Sequence, residues 1–244
     1  MADDNRFEQL TADWLQVLRE PPTAQQVQQF NRYASILIEW NERINLTSII
    51  DEEGIVVKHF LDSLSVLPMF DPQGDSFSLI DVGTGAGFPG MALAIMRPGW
   101  HVTLLEATRK KVDFLALVAQ ELGLTNVTTL WGRAEEQGQE RAHRERYDAA
   151  VARAVADLPV LAEFCLPFIR TGGRWVAQKG PRVDEEVQRA RNAFGQLGGR
   201  LLAVESVTIP GLEDETRTLV LVEKVRPTPA TFPRAPGTPK KRPL

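Results

Sequence analysis

The stretch "DVGTGAGFPG", Asp81 to Gly90, sets glycines at 83, 85, 87 and 90 between a strand-like run, "SLIDV", and a helix-like run, "FPGMALAIM". Glycine is required where φ must be positive or where another atom has to approach the main chain. A strand-to-helix turn of this kind lies at the carboxyl end of a sheet, where dinucleotide-type folds bind their ligands. Taken alone, the spacing Gly85-x-Gly87-x-x-Gly90 would equally serve a tight turn that holds nothing. Two acids weigh on the ligand side. Glu106 closes the next strand, "HVTLLE", 19 residues after Gly87, near the spacing of roughly 20 at which a carboxylate meets ribose hydroxyls. Asp81 precedes the first glycine, where a nicotinamide or flavin protein has no particular need of a carboxylate. An acid there suits a ligand bearing an ammonium and a sulfonium, since it attracts both charges directly or through water.

Arg153 ends the apolar strand "DAAVAR", a position where a charge is costly unless paired. Lys179 ends the apolar run "GRWVAQK" at what would be the same ligand edge. Glu135, by its own neighbours, reads as a solvated acid at a helix start. His59, His101 and His143 are scattered over a helix, a strand and a loop, and Cys165 is the single cysteine. A disulfide within the chain and a cysteine-based zinc site are therefore excluded, and no metal site is expected.

The elements that must carry these residues follow from periodicity. Up to residue 72 the pattern is helical: "TAQQVQQFNRYASILIEWNERI" sets Val27, Phe30, Ala34, Leu37, Ile38 and Ile44 near one stripe, with Thr23 as its N-cap, and "EEGIVVKHFLDSLSVL" repeats the theme. Pro72 and Gly74 break it. Seven short apolar runs follow, most separated by helical stretches, which predicts a mainly parallel sheet covered on both faces. The last two runs, "RLLAVESVTI" and "TRTLVLVEK", are joined by "PGLEDE" and predict an antiparallel hairpin. The expected division is a helical extension over 1–72, a ligand-binding α/β domain over 73–225 and a basic, proline-rich tail over 226–244. No apolar run approaches the roughly 20 residues of a membrane span, and the start lacks the features of a signal peptide, so a cytoplasmic protein is expected. The net charge is −4, yet from Lys224 onward there are six basic residues and no acid. Such a tail either contacts nucleic acid or packs on its own protein through its prolines and Phe232.

The motifs taken together resemble a known family. "DVGTGAGFPG" with Glu106 is similar to the class I S-adenosylmethionine-dependent methyltransferases. The succession "WNERINLTS", "VVKHFLDSL", "DVGTGAGFPG", "ATRKKVDFL", "RAEE", "VARAVADL", "QKGPR" and "TRTLVLVEK" resembles, over most of the chain, the bacterial 16S ribosomal RNA guanine-N7 methyltransferase G family, also called glucose-inhibited division protein B. The resemblance implies a Rossmann-like class I methyltransferase fold with S-adenosylmethionine as cofactor. It implies that Gly83, Gly85, Gly87 and Phe88 hold that cofactor, that Glu106 meets its ribose with Ala107 and Thr108 alongside, that Ala134 and Glu135 lie at the adenine end, and that Arg153 lies beside it. Lys179 and Arg217 match positions linked to activity, and Arg133 and Lys110 are further candidates for RNA phosphates. The implied partner is 16S ribosomal RNA or the small ribosomal subunit; nothing in the sequence demands more than a monomer, and a monomer is expected. Ala86 and Phe88 depart from the commonest loop, where proline and leucine are frequent, without disturbing the turn. Because guanine N7 already offers a lone pair and has no proton to lose, the implied reaction needs no general base, and no residue is assigned as catalytic acid or base. A methyltransferase of small molecules or proteins, a nicotinamide dehydrogenase and a cofactor-binding protein without turnover remain the alternatives.

Overall fold

The computed structural model describes residues 18, 21–70, 76–153, 156–180, 183–215 and 217–244. The boundary expected at 72/73, the break at Pro72 and Gly74, and Pro181 and Arg182 of "QKGPR" lie outside the described residues, as do residues 1–17 of the expected helical extension.

Seven strands form one sheet: β1 (Phe77–Val82), β2 (Trp100–Glu106), β3 (Val127–Trp131), β4 (Tyr147–Arg153), β5 (Ile169–Lys179), β6 (Gly199–Val207) and β7 (Arg217–Lys224). Their order is β3-β2-β1-β4-β5-β7-β6. The first five run parallel, and β7 inserts antiparallel between β5 and β6, with a register shift between Leu201 and Ala203 on the β6 side. This is the expected parallel sheet with its C-terminal hairpin. The order reverses between β1 and β4, which opens a crevice at their carboxyl ends.

Both faces of the sheet are covered, and strand alternation assigns residues to each. On one face Leu79, Val102, Leu104, Ala149 and Val151 meet α1 (Ala24–Ile44), a helical run made of α2 (Glu52–Gly54), a π-helix (Ile55–Leu61) and α3 (Asp62–Leu64), then α4 (Gly90–Met96) and α5 (Arg109–Glu121). On the other Ile80, Val82, Leu105, Ala150 and Trp175 meet α7 (Leu158–Cys165) and α8 (Asp184–Leu197). The short helices α6 (Ala134–Gln137) and α9 (Thr238–Lys241) lie near the crevice.

Helix α1 starts as its sequence says it should. Thr23 Oγ1 accepts from Gln26 N at 3.3 Å while Thr23 N donates to Gln26 Oε1 at 2.8 Å, a capping box. Its buried stripe, Phe30, Tyr33, Ala34 and Leu37, enters the same core as β1 and β2. The helix also reaches the glycine turn, because the buried Tyr33 hydroxyl donates to Ala86 O. Replacing Tyr33 by Phe leaves that carbonyl buried without a partner. Urea unfolding of Tyr33→Phe should show a loss of about 1–2 kcal/mol; an unchanged midpoint and slope would mean the carbonyl finds another donor.

Candidate functional site

The crevice at the reversal of strand order is a cleft of about 520 Å³. Its floor is the turn after β1, its walls the ends of β2, β3 and β4. The turn divides its glycines between two tasks. Gly85, at φ +62, has open space where a side chain would stand and lines the cleft. Gly87, at φ +106, faces inward instead, so that a Cβ there would collide with the Tyr33 hydroxyl. One glycine keeps the cleft clear, and the other lets α1 close against the turn.

Asp81 pins this turn. It is fully buried, and its Oδ2 accepts from Thr84 Oγ1 at 2.6 Å and from Gly90 N at 2.7 Å, so one carboxylate oxygen holds both ends of the loop. Its Oδ1 has no hydrogen-bond partner among the described residues. Burial raises the Asp81 carboxyl to about 6, against the two hydrogen bonds and the charge of Arg153, which lower it. The unpartnered Oδ1 can carry that proton without disturbing Oδ2.

At the end of β2, Glu106 is buried against the cleft. Its Oε2 accepts from Gly85 N at 3.1 Å and its Oε1 from Thr108 N at 2.8 Å. Ala107 lines the cleft, and Thr108 instead stands at the N-cap position of α5, without a side-chain capping bond. Beyond β3, Arg133, Ala134 and Glu135 line the next part of the wall. Glu135 is 6% exposed rather than solvated, and its Oε1 accepts from Gly237 N at 2.9 Å.

Arg153 lies at the opposite end of the cleft and satisfies the pairing demanded of a charge at a strand end. Its Nη1 donates to Asp62 Oδ2 at 2.8 Å and to Lys58 O at 3.1 Å, and its guanidinium sits 5.2 Å from the Phe88 ring centre. His59 stacks on the same Phe88 ring, with centres 4.5 Å apart, and its Nε2 lies 2.8 Å from Thr47 Oγ1. Burial, then the Arg153 charge, push His59 down to about 4, so the ring is neutral at pH 7. Asp62 Oδ1 also accepts from Arg217 Nε at 3.1 Å.

The remaining sequence candidates stand outside the cleft wall. Lys179 Nζ pairs with Glu186 Oε2 at 2.8 Å and donates to Ala156 O at 3.1 Å. Arg217 joins the cleft through Asp62. Lys110 does not line the cleft, and its neighbour Lys111 does. Sequence reasoning did not single out Thr47, Lys111, Phe164, Gly237 or Lys240, all of which line it. Thr47 sits within the quoted "NLTS"; nothing local marks Gly237 or Lys240. Among the described residues no group of three or more His, Cys, Asp or Glu could hold a metal ion, and no helix is long and apolar enough to cross a membrane.

A seven-stranded sheet with an antiparallel seventh strand, a glycine turn after β1 and an acid ending β2 defines a class I methyltransferase, whose cofactor is S-adenosylmethionine. The fold is shared with a geranyl diphosphate methyltransferase solved in complex with SAM (TM-score 0.51, 18% identity, 67% of this chain and 84% of that one). It is shared also with a 16S rRNA (adenine(1408)-N(1))-methyltransferase variant from Catenulisporales acidiphilia (TM-score 0.51, 16% identity, 62% and 86%). The residues fit the cofactor: Gly85 leaves open space on the cleft, the Glu106 carboxylate borders it from the end of β2, and the buried, unpartnered Asp81 oxygen lies at the end of β1 beneath the turn.

The family follows from sequence. A family model described as rRNA small subunit methyltransferase G matches residues 26–219, and the chain belongs to that family. It is 51% identical over 219 residues to the ribosomal RNA small subunit methyltransferase G of Alkaliphilus metalliredigens (strain QYMF), covering 90% of this chain and 91% of that one. It is 52% identical over 220 residues to that of Roseiflexus sp. (strain RS-1), covering 90% and 92%.

The raised Asp81 carboxyl has a pH consequence. In the window between its unfolded value, 3.8, and its folded value, about 6, the folded protein keeps a proton that the unfolded chain has released, so stability falls as pH rises through it. Relative to Asp81→Asn, the unsubstituted protein should lose on the order of 3 kcal/mol across that window. Urea unfolding of both proteins from pH 4 to 7 measures this; parallel curves would mean that the carboxyl ionises normally in the fold.

Proposed function

We propose that the protein transfers the methyl group of S-adenosylmethionine to N7 of a guanine in 16S ribosomal RNA. The observation that carries the reading is the cleft between Glu106 and Arg153, over a glycine turn, in a chain about half identical to ribosomal RNA small subunit methyltransferases G.

On this reading Gly83, Gly85, Gly87 and Phe88 cradle the cofactor, directly or by shaping the turn, and Glu106 serves the ribose with Ala107 alongside and Thr108 acting through its N–H to hold the carboxylate. Ala134 and Glu135 serve the adenine end. Asp81 supplies negative charge beneath the methionine part, and a cation arriving there favours the ionised carboxylate. The cofactor supplies an electrophilic methyl on a sulfonium. One bond forms, from guanine N7 to that carbon, as the bond from carbon to sulfur breaks, and the electron pair stays with sulfur. N7 gives up no proton, so the residues of this chain need only align and shield. Alignment of that kind is worth on the order of 7–11 kcal/mol in favourable cases.

Arg153, fixed by Asp62 and Lys58 O, borders the end of the cleft where the methyl would be presented. Its neighbour His59 stays neutral and adds no second charge. Lys179, Arg217, Arg133 and Lys110 are proposed to meet RNA phosphates or guanine acceptors. A target guanine has to be unpaired or turned out to enter the cleft, which suits a folded ribosomal RNA loop or the assembled small subunit. The reading makes the protein a cytoplasmic monomer.

The test is incubation with labelled cofactor and unmethylated small-subunit RNA, offered naked and as 30S particles, followed by cleavage at 7-methylguanine. A single labelled guanine is expected. Label elsewhere, or on neither RNA, would direct attention to other atoms or to small-molecule and protein acceptors. In the same assay Lys179→Ala should lower turnover by about ten-fold with cofactor affinity nearly unchanged. An equal loss of cofactor affinity would assign Lys179 to holding the strand end through Glu186.

A further inference from the structure

The family model stops at residue 219, yet the chain after β7 is built into the protein. Lys224, fully buried with its ammonium lowered to about 8 by burial, donates to Ile169 O and to Thr228 Oγ1. Arg144 donates to Thr228 O, Pro229 O and Phe232 O. Arg234 then grips Glu163 of α7: its backbone N and its Nε and Nη2 make four hydrogen bonds of 2.6–3.1 Å to a carboxylate that is 0% exposed. A carboxylate so deeply buried requires its cation, which makes this contact an anchor.

From that anchor the chain runs directly to the cleft. Gly237 lines it, and its N–H fixes the Glu135 carboxylate at 2.9 Å. One turn later Lys240, an exposed side chain at the end of α9, lines it too. Gly237 is thereby tied to the Arg133–Glu135 wall beyond β3, and Lys240 follows it by three residues, whereas Arg153 ends β4 on the other side of β1.

We propose that the segment 234–241 is part of the cofactor site, recognising the adenosine portion of the ligand. Gly237 holds Glu135 in place as an acceptor, and Lys240 adds a donor at the same end. An adenine edge presents both an amino donor and ring-nitrogen acceptors, so a fixed carboxylate and an ammonium complement it. The inference rests on the reading of this cleft as a cofactor site and goes beyond it, because it adds residues that follow the matched family region. A tail serving only as an RNA tether or as a strap for folding would leave cofactor affinity untouched.

The experiment is calorimetric titration, without RNA, of S-adenosylhomocysteine and of 5′-methylthioadenosine into three proteins: the full chain, a chain ending at Pro236, and Lys240→Ala. The truncation keeps the Arg234–Glu163 anchor, and circular dichroism checks that it folds. The truncated chain should bind both probes about ten-fold more weakly, and Lys240→Ala about three-fold more weakly. Similar factors for both probes would place the loss at the adenosine end, since the second probe lacks the amino-acid portion. Full affinity in the truncated chain overturns the inference while leaving the cofactor reading intact. Should the truncated chain fail to fold, full affinity in Lys240→Ala overturns it instead. Failure of the full chain to bind either probe overturns the cofactor reading and the inference together.

Discussion

One buried carboxylate oxygen sets the geometry on which the cleft depends. Asp81 Oδ2 accepts from the hydroxyl three residues ahead and from the first amide of α4, so the glycine turn cannot open at either end without abandoning a hydrogen bond inside the core. The cost of burying that carboxyl is met partly by protonation and partly by the field of Arg153. Everything above the turn inherits its position: the open side of Gly85, the amide given to Glu106, and the ring of Phe88 on which His59 and Arg153 rest.

A second carboxylate fastens the helices to the sheet. Asp62, its side chain only 6% exposed, accepts from Arg153 at the end of β4 and from Arg217 at the start of β7, and its backbone carbonyl accepts from Gln178 of β5. Three strand ends are thus referred to one helical residue. Pairing two guanidiniums with one carboxylate contributes little net stability once desolvation is counted, but it fixes orientation. The π-helical stretch just before Asp62 bears His59, and such wide turns recur where a side chain is set for function.

The sheet, its hairpin and the helices over 24–44, 109–121 and 184–197 were legible because each rests on a local period, joined in the first helix by the Thr23 capping box. Gly83, Gly85, Glu106 and Arg153 were legible for a related reason: strand ends in a βα fold converge on one edge, so their types could be read together. What was not legible depends on contacts distant in the chain. Spacing cannot say that Gly87 faces Tyr33 rather than the cleft, that Lys179 is met by Glu186, or that Glu135 is buried under Gly237. The tail read from composition as either an RNA contact or a packed segment. The contacts of Arg144, Glu163 and Lys224 that hold it are polar and non-local, and hydrophobic periodicity carries no trace of them.

The sheet ends at β3 on one side and β6 on the other. Strand β6 leaves Leu202 and Val204 exposed along the open border of the sheet, the kind of border onto which a second chain can add. The register shift between Leu201 and Ala203 interrupts that border at its middle, and Arg200 and Glu205 set charge on either side. A bulge there twists the strand away from the flat geometry that edge-to-edge growth needs. The irregularity in the hairpin therefore makes this apolar border a poor template for a further strand.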